Sequence, residues 1–417
     1  KSSAYESVPS VYDEFRQWLF GNQESILKDG YFSDTHVLQS SSTLDMDSYI
    51  SSFGYKGQMQ YKGLVAGADM AWYHILPQSP KIQGIIGAEN GIQKKQNCGE
   101  ASLYAEYNGD ITENWSYHTG LKASAYISPE NKVFSGLSPK ASIAYNTYTY
   151  GKIKASYNLS RQYLFQTGLS NIGLPVEFWF GAGEYSDPQY SHNFNLSYDA
   201  ELFHGALAVS VSTYYKRLYN QIQYYGNLFD MFNSVYELDD YLLKGDGWNY
   251  GINLMIHKQS GKFTGWISYS LGRALRQFDN PKFQKIYPAN HERIHELNAV
   301  ASYKTGKWDL SSTFVYASGI PFTAPEHFYL SSGQLLAVYG DHNACRMRPY
   351  ARLDLSATYI LSKNQRKENG INLSIYNALG RKNDVLYKIT KDNHGYKYTA
   401  TAFFLQFVPS VSYYHKF

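Results

Sequence analysis

FFLQFVPSVSYYHKF, residues 403–417, closes the chain, and its alternation decides how the rest is read. Phe403, Leu405, Phe407, Val411, Tyr413 and Phe417 fall on alternate positions, so an extended strand sets all six on one face. Gln406, Ser410, Ser412 and Lys416 take the other face, together with Phe404, Val408 and Tyr414; His415 departs from the alternation. One oily side and one wet side, ending on an aromatic residue, is what the final strand of a membrane-spanning β-barrel requires.

The totals agree with that strand. No run of eighteen apolar residues occurs in the 417, which excludes a transmembrane helix. Forty-one tyrosines, 17 % aromatic residues and a mean hydropathy of −0.44 describe a chain polar on average yet rich in side chains suited to an interface. A barrel has that mixture because only every second strand residue meets lipid while aromatic girdles mark both interfaces. A soluble all-β protein could share the totals, but the tyrosine excess argues against it. A net charge of +3 leaves no nucleic-acid footprint. Two cysteines, Cys98 and Cys345, set no disulfide framework. The sequence opens on Lys1 without a signal peptide, as a mature product or a part of a longer one would.

From Tyr31 the two-residue period persists, over 31–42, 46–60, 63–74, 98–110, 113–127, 138–149, 151–165, 188–202, 206–222, 246–257, 262–276, 292–304, 307–319, 348–361, 369–386 and 401–417. With a weaker segment at 20–28 this predicts about sixteen or seventeen strands, each long enough for a tilted crossing. Phe194, Leu196, Tyr198, Ala200 and Leu202 alternate with Asn193, Asn195, Ser197, Asp199 and Glu201; Leu353, Leu355, Ala357 and Tyr359 alternate with Arg352, Asp354, Ser356 and Thr358. Connections run long and short in turn: 75–97, 128–137, 166–187, 223–245, 277–291, 320–347 and 387–400 are long, with short links between them. Barrels of the outer membrane separate their loops this way, so the long ones face outside and the last strand runs down to the periplasm. Residues 1–19, with helical spacing after Ser10, read as a loop segment, a short helix or irregular coil, ahead of barrel residues 20–417.

Several phrases then resemble a known family. GKFTGWISYSLGRALRQF (261–278), YPANHERIHELNAVASY (287–303), YASGIPFTAP (316–325), RMRPYARLDLSATY (346–359) and INLSIYNALGRKN (371–383) are similar to the C-terminal half of TonB-dependent outer-membrane receptors of the Bacteroidetes type, and LSRQYLFQTGLSNIGLPVEFWF (159–180) resembles the loop upstream. The resemblance implies a barrel of about 22 strands filled by a plug. The chain would then supply the last sixteen or seventeen strands of an all-β transmembrane antiparallel barrel, with the plug and about five strands elsewhere in the receptor and Lys1 in an extracellular loop. It further implies import of a scarce nutrient such as a siderophore, haem, cobalamin or oligosaccharide. The expected partners are the outer-membrane lipid bilayer, the N-terminal plug and first strands, the TonB complex through the plug, and a surface lipoprotein.

The residues themselves indicate no catalytic arrangement and no cofactor. His291 and His295 have a zinc-like i, i+4 spacing, but they open a strand, where that spacing does not converge, so no metal site is expected. Arg352 and Asp354 share the inner face as a wall network, and Trp308 and Tyr316 read as outward anchors. Phe178, Trp179, Phe180, Tyr224, Tyr225, Phe229, Phe322 and Tyr329 make the loops aromatic and are the candidate substrate contacts, since ring faces stack on flat or sugar-like cargo. Loop-on-loop packing accounts for the same residues equally well. A passive porin of about sixteen strands and a structural or adhesion barrel are the alternatives.

Overall fold

The structure, a computed structural model, describes residues 43–83, 95–147, 151–168, 177–183, 186–225, 242–280, 285–331, 334–364, 367–384, 386–392, 395–401 and 406–417. Its strands in chain order are β1 (Thr43–Tyr61), β2 (Leu64–Gln83), β3 (Gln96–Asp110), β4 (Trp115–Ile127), β5 (Val133–Asn146), β6 (Lys152–Gln162), β7 (Leu164–Gly168), β8 (Glu177–Gly181), β9 (Gln189–Leu202), β10 (Leu207–Tyr224), β11 (Leu242–Lys258) and β12 (Phe263–Phe278). They continue with β13 (Ile286–Pro288), β14 (His295–Thr305), β15 (Trp308–Ala317), β16 (Pro321–Phe322), β17 (Pro325–Ser331), β18 (Gln334–Tyr339), β19 (Cys345–Arg346), β20 (Tyr350–Lys363), β21 (Glu368–Tyr376), β22 (Leu386–Asp392), β23 (Gly395–Thr401) and β24 (Val408–Lys416).

One antiparallel sheet runs β1-β2-β3-β4-β5-β6-β9-β10-β11-β12-β14-β15-β20-β21-β24, with β13 beside the top of β12. Fifteen expected segments therefore become wall strands, each paired to its neighbour in sequence order apart from the loop hairpins. The pairs β7-β8, β16-β19, β17-β18 and β22-β23 stand apart as two-stranded ribbons in the long loops. Among the described residues, β1 and β24 each have a partner on one side only.

The faces follow the sequence pattern. Phe194 and Leu196 are 50 % exposed, and Met70, Leu103, Leu137, Ile252, Leu373 and Val411 are exposed too, all on the outward parity. Leaving so many large apolar side chains in water would forgo about 1.5–3 kcal/mol apiece, so this face is built for hydrocarbon. Aromatic pairs mark its borders: Trp115 with Tyr145 at 4.8 Å and Trp308 with Tyr359 at 4.9 Å beside the short turns, and Tyr190 stacked on Tyr219 at 4.6 Å toward the long loops.

Polar groups occupy the inner face. Glu106 joins Lys140 and, at 3.2 Å, His118; Lys122 meets Glu100 at 3.5 Å; Arg352 meets Asp354 at 3.0 Å and covers the Tyr376 ring. Across β14, β15, β20, β21 and β24 the register aligns Ser302, Ser311, Ser356, Ser374 and Ser410 in one row.

Four expectations need correction. The stretch 128–137 is not a long loop: Asn131 turns the chain at a φ of 63°, Ser128 Oγ accepts the Lys132 N–H, and β5 begins at Val133. The segment 369–386 stops at Tyr376, because Asn377 and Gly380 take φ of 50° and 59°. Beyond that stop, the Asn383 side chain accepts from the Ala351 N–H and donates to its carbonyl, both at 3.0 Å, serving β20 as a strand neighbour would. Segment 151–165 leaves the wall after Gln162, and 401–417 joins it only at Val408. The segments 1–19, 20–28 and 31–42, and Phe403 to Leu405, lie outside the described residues.

Candidate functional site

The inner side of the mouth, at the long-loop end, is where the sequence-predicted aromatics gather. Ile75 and Tyr126 take the inward parity, opposite to the exposed Trp72 and Ile127. They form a cluster with Cys98, Tyr163, Phe165, Phe178, Phe180, Tyr224 and Leu242, all buried. The β7-β8 ribbon therefore folds into the mouth, β8 lying against β1, β2 and β3 while β7 touches β10. Phe165 packs on Phe180 at 5.4 Å, and Phe178 meets Tyr224 edge-on at 5.8 Å.

Hydrogen bonds fix this ribbon from three sides. Tyr126 Oη donates to the Ala182 carbonyl (3.1 Å), the Gly181 N–H donates to Gln96 Oε1 (3.0 Å), and the Tyr224 N–H donates to Thr167 Oγ1 (3.2 Å). Position 181 has to be glycine, because a Cβ there would strike Tyr126 Oη and lie 3.2 Å from Cys98 Sγ. Trp179, between two buried phenylalanines, is turned to the ribbon's other face and is half-buried against the same cluster.

A second assembly lies beside it. Leu243, Phe278 and Tyr287 are buried with Tyr225 packed on them, and His342 meets Tyr287 edge-on at 5.4 Å. Gln223 Nε2 donates to Asn290 Oδ1 at 3.0 Å and lies 2.8 Å from His342 Nε2. An amide nitrogen only donates, so in this assignment His342 Nε2 accepts and its proton sits on Nδ1, toward Thr323 Oγ1 at 3.3 Å. Burial pushes the His342 pKa down to about 4. Asn343 completes the network, donating from Nδ2 to Asn290 Oδ1 (2.6 Å) and the Pro288 carbonyl (2.9 Å).

Below it Glu292, 2 % exposed, accepts from Arg273 Nε (2.8 Å), from the Ala274 N–H (3.0 Å) and from Arg346. Burial alone would raise its pKa, but those three donors outweigh it and hold the carboxyl below the usual range. Loop segments 289–294 and 340–346 are thus tied to the wall by charge and amide bonds rather than by apolar packing alone.

The structure brings Phe178, Trp179, Phe180 and Tyr224 together and sets Tyr225 in the neighbouring cluster. Phe322 lies on β16 opposite Cys345, Tyr329 on β17 opposite Leu336, and Phe229 is outside the described residues. His295 Nδ1 is 2.8 Å from Tyr269 Oη, and His291 is held neutral by burial and then by nearby Arg276. Cys98 is buried and Cys345 exposed, both as free thiols. Sequence reasoning missed Gln223, Asn290, His342 and Asn343, whose partners lie up to 119 positions away; no local pattern announces them.

The family model for TonB dependent receptor-like β-barrels matches residues 2–378. The chain belongs to that family. It is accordingly an outer-membrane β-barrel. A search of curated proteins finds no match. Among solved structures, the chain is similar to the ferripyoverdine receptor of the outer membrane of Pseudomonas aeruginosa (13 % identity, TM-score 0.51, covering 83 % of this chain and 46 % of that one). It is also similar to the FrpB iron transporter of Neisseria meningitidis (11 %, 0.54, 89 % and 56 %) and to the ferric-catecholate import receptor Fiu of E. coli K12 (11 %, 0.53, 89 % and 55 %). At such identities the likeness is one of fold, and the chain spans about half the length of these structures.

Proposed function

We propose that the chain is the C-terminal part of a Bacteroidetes-type TonB-dependent receptor that imports a scarce nutrient across the outer membrane. The observation that carries this reading is the match of the receptor family model over residues 2–378, to which the β7-β8 ribbon folded into the mouth adds a built surface above the lumen. The one-sided edges of β1 and β24 support it as well, since lipid does not tolerate an unpaired sheet edge and further strands of the same receptor would pair them. A plug preceding these strands would fill the lumen and transmit the pull of the TonB complex, and a surface lipoprotein would present cargo to the loops.

In this reading the cargo-contacting side chains are Trp179, Tyr225, Phe229, Phe322 and Tyr329, with Phe178, Phe180 and Tyr224 packed against Trp179 as its support. Replacing Trp179 and Tyr225 together by Ala in the full-length receptor lowers energised uptake or cargo affinity about tenfold, as loss of anchor rings does. The measurement is growth on a limiting nutrient, with and without TonB. Uptake that persists without TonB would favour a pore instead.

A further inference from the structure

The lumen wall from β10 to β12 presents two cations, Lys216 and Arg276, that form no ion pair among the described residues. Lys216 and Asn249 take the inward parity, since their chain neighbours Tyr215 and Tyr250 are the exposed outward residues. They stand opposite each other in the β10-β11 ladder, and Asn249 stands opposite Ala274 in the next. Two positions on, Arg276 reaches back, its Nη1 donating to Asn249 Oδ1 (2.9 Å) and to the Leu275 carbonyl (2.8 Å). Its guanidinium lies flat over Gly247, where a Cβ would come within 2.8 Å of Nη1.

The acids nearby are committed elsewhere. Asp246 pairs with Arg217 at 2.6 Å on the outward face, Glu292 binds Arg273 and Arg346, and Glu296 lies 3.7 Å from Arg293. Arg276 is half-buried and, among the described residues, meets only neutral acceptors, so it loses hydration without an opposing charge. Because Asn249 Oδ1 already accepts from Arg276, the amide's donors are left over for a ligand, and Lys216, opposite it in the ladder, holds its ammonium 5.9 Å from the centroid of the inward Tyr214 ring. A guanidinium fork, an amide and an ammonium are the donor set that carboxylate and phosphate oxygens match. On the outward side of the same strands Arg217 stacks on Trp248 at 4.2 Å in the upper aromatic border, which puts this set at the top of the lumen.

We propose that Lys216, Asn249 and Arg276 form an anion-binding site that takes a carboxylate or phosphate group of the imported solute, an inference that rests on the import reading. The test is calorimetric titration of the purified full-length receptor with inorganic phosphate and with succinate at constant ionic strength. Wild type binds, and Arg276→Gln and Lys216→Gln each weaken binding about tenfold or more; heat-modifiable gel migration confirms that both variants fold. Unchanged affinity in the folded variants overturns the site, and so does a wild type that binds neither anion, as when an acidic side chain of the plug already fills it. Anion binding lost in the variants, in a receptor that shows no energised uptake, would sustain the site while removing the import reading.

Discussion

At the residue scale, His342 and Glu292 make the mouth acid-sensitive in two separable windows. The folded pKa of His342 is depressed from 6.5 to about 4, so the unfolded loop binds more protons between those values and the loop loosens as pH falls through them. The shift corresponds to about 3 kcal/mol, fully present above the unfolded value and gone below the folded one. Glu292 is also depressed, so its contribution is complete above its ordinary value of 4.5 and lost at lower pH still. Proteolysis of the 340–346 segment should accelerate between pH 7 and pH 5, and His342→Gln should abolish that pH dependence. Glu292→Gln strands two arginines; because both are partly exposed, the cost belongs near the lower end of the range, about 3 kcal/mol, read as a lower melting temperature at pH 7. Gly181→Val overpacks the ribbon seat against Tyr126 and should cost about 1–3 kcal/mol, seen as faster cleavage between β7 and β8.

At the element scale, the wall strands were legible because a period of two survives wherever one face meets lipid and the other water. The ends were not, for local reasons. Asn377 and Asn131 take left-handed backbone that no alternation reveals, and Leu164 and Phe165 carry on the strand pattern although they pack inside the mouth. The aromatic site candidates were found by composition, yet burial divides them: Phe178 and Phe180 are sealed while Trp179 between them is not, a distinction that needs the ribbon's position. The faces themselves can be tested with one pair of substitutions on adjacent residues. Leu373→Arg places charge in hydrocarbon and should cost about 2–4 kcal/mol, whereas Ser374→Arg enters the wet interior and should leave the barrel nearly as stable; denaturant midpoints in vesicles would show whether the two differ.

At the scale of the whole molecule, β1 and β24 each have a partner on one side only among the described residues, and in the proposed reading further strands of the receptor pair those edges. Expressed alone, the chain should fail to give a heat-modifiable band, and co-expression with the rest of the receptor should restore it; a resistant barrel from this chain alone would overturn that pairing. The inner surface is also uneven in a way that bears on transit. The row from Ser302 to Ser410 projects little volume and no charge, whereas the arc holding Glu100, Glu106, Lys122 and Lys140 is crowded with long, mutually tethered arms. A body descending past β14 to β24 would meet that hydroxyl row as a single belt between charged pairs, Arg352 with Asp354 on its outer side and Lys304 with Asp309 on its periplasmic side, so the wall there alternates grip and release along the descent.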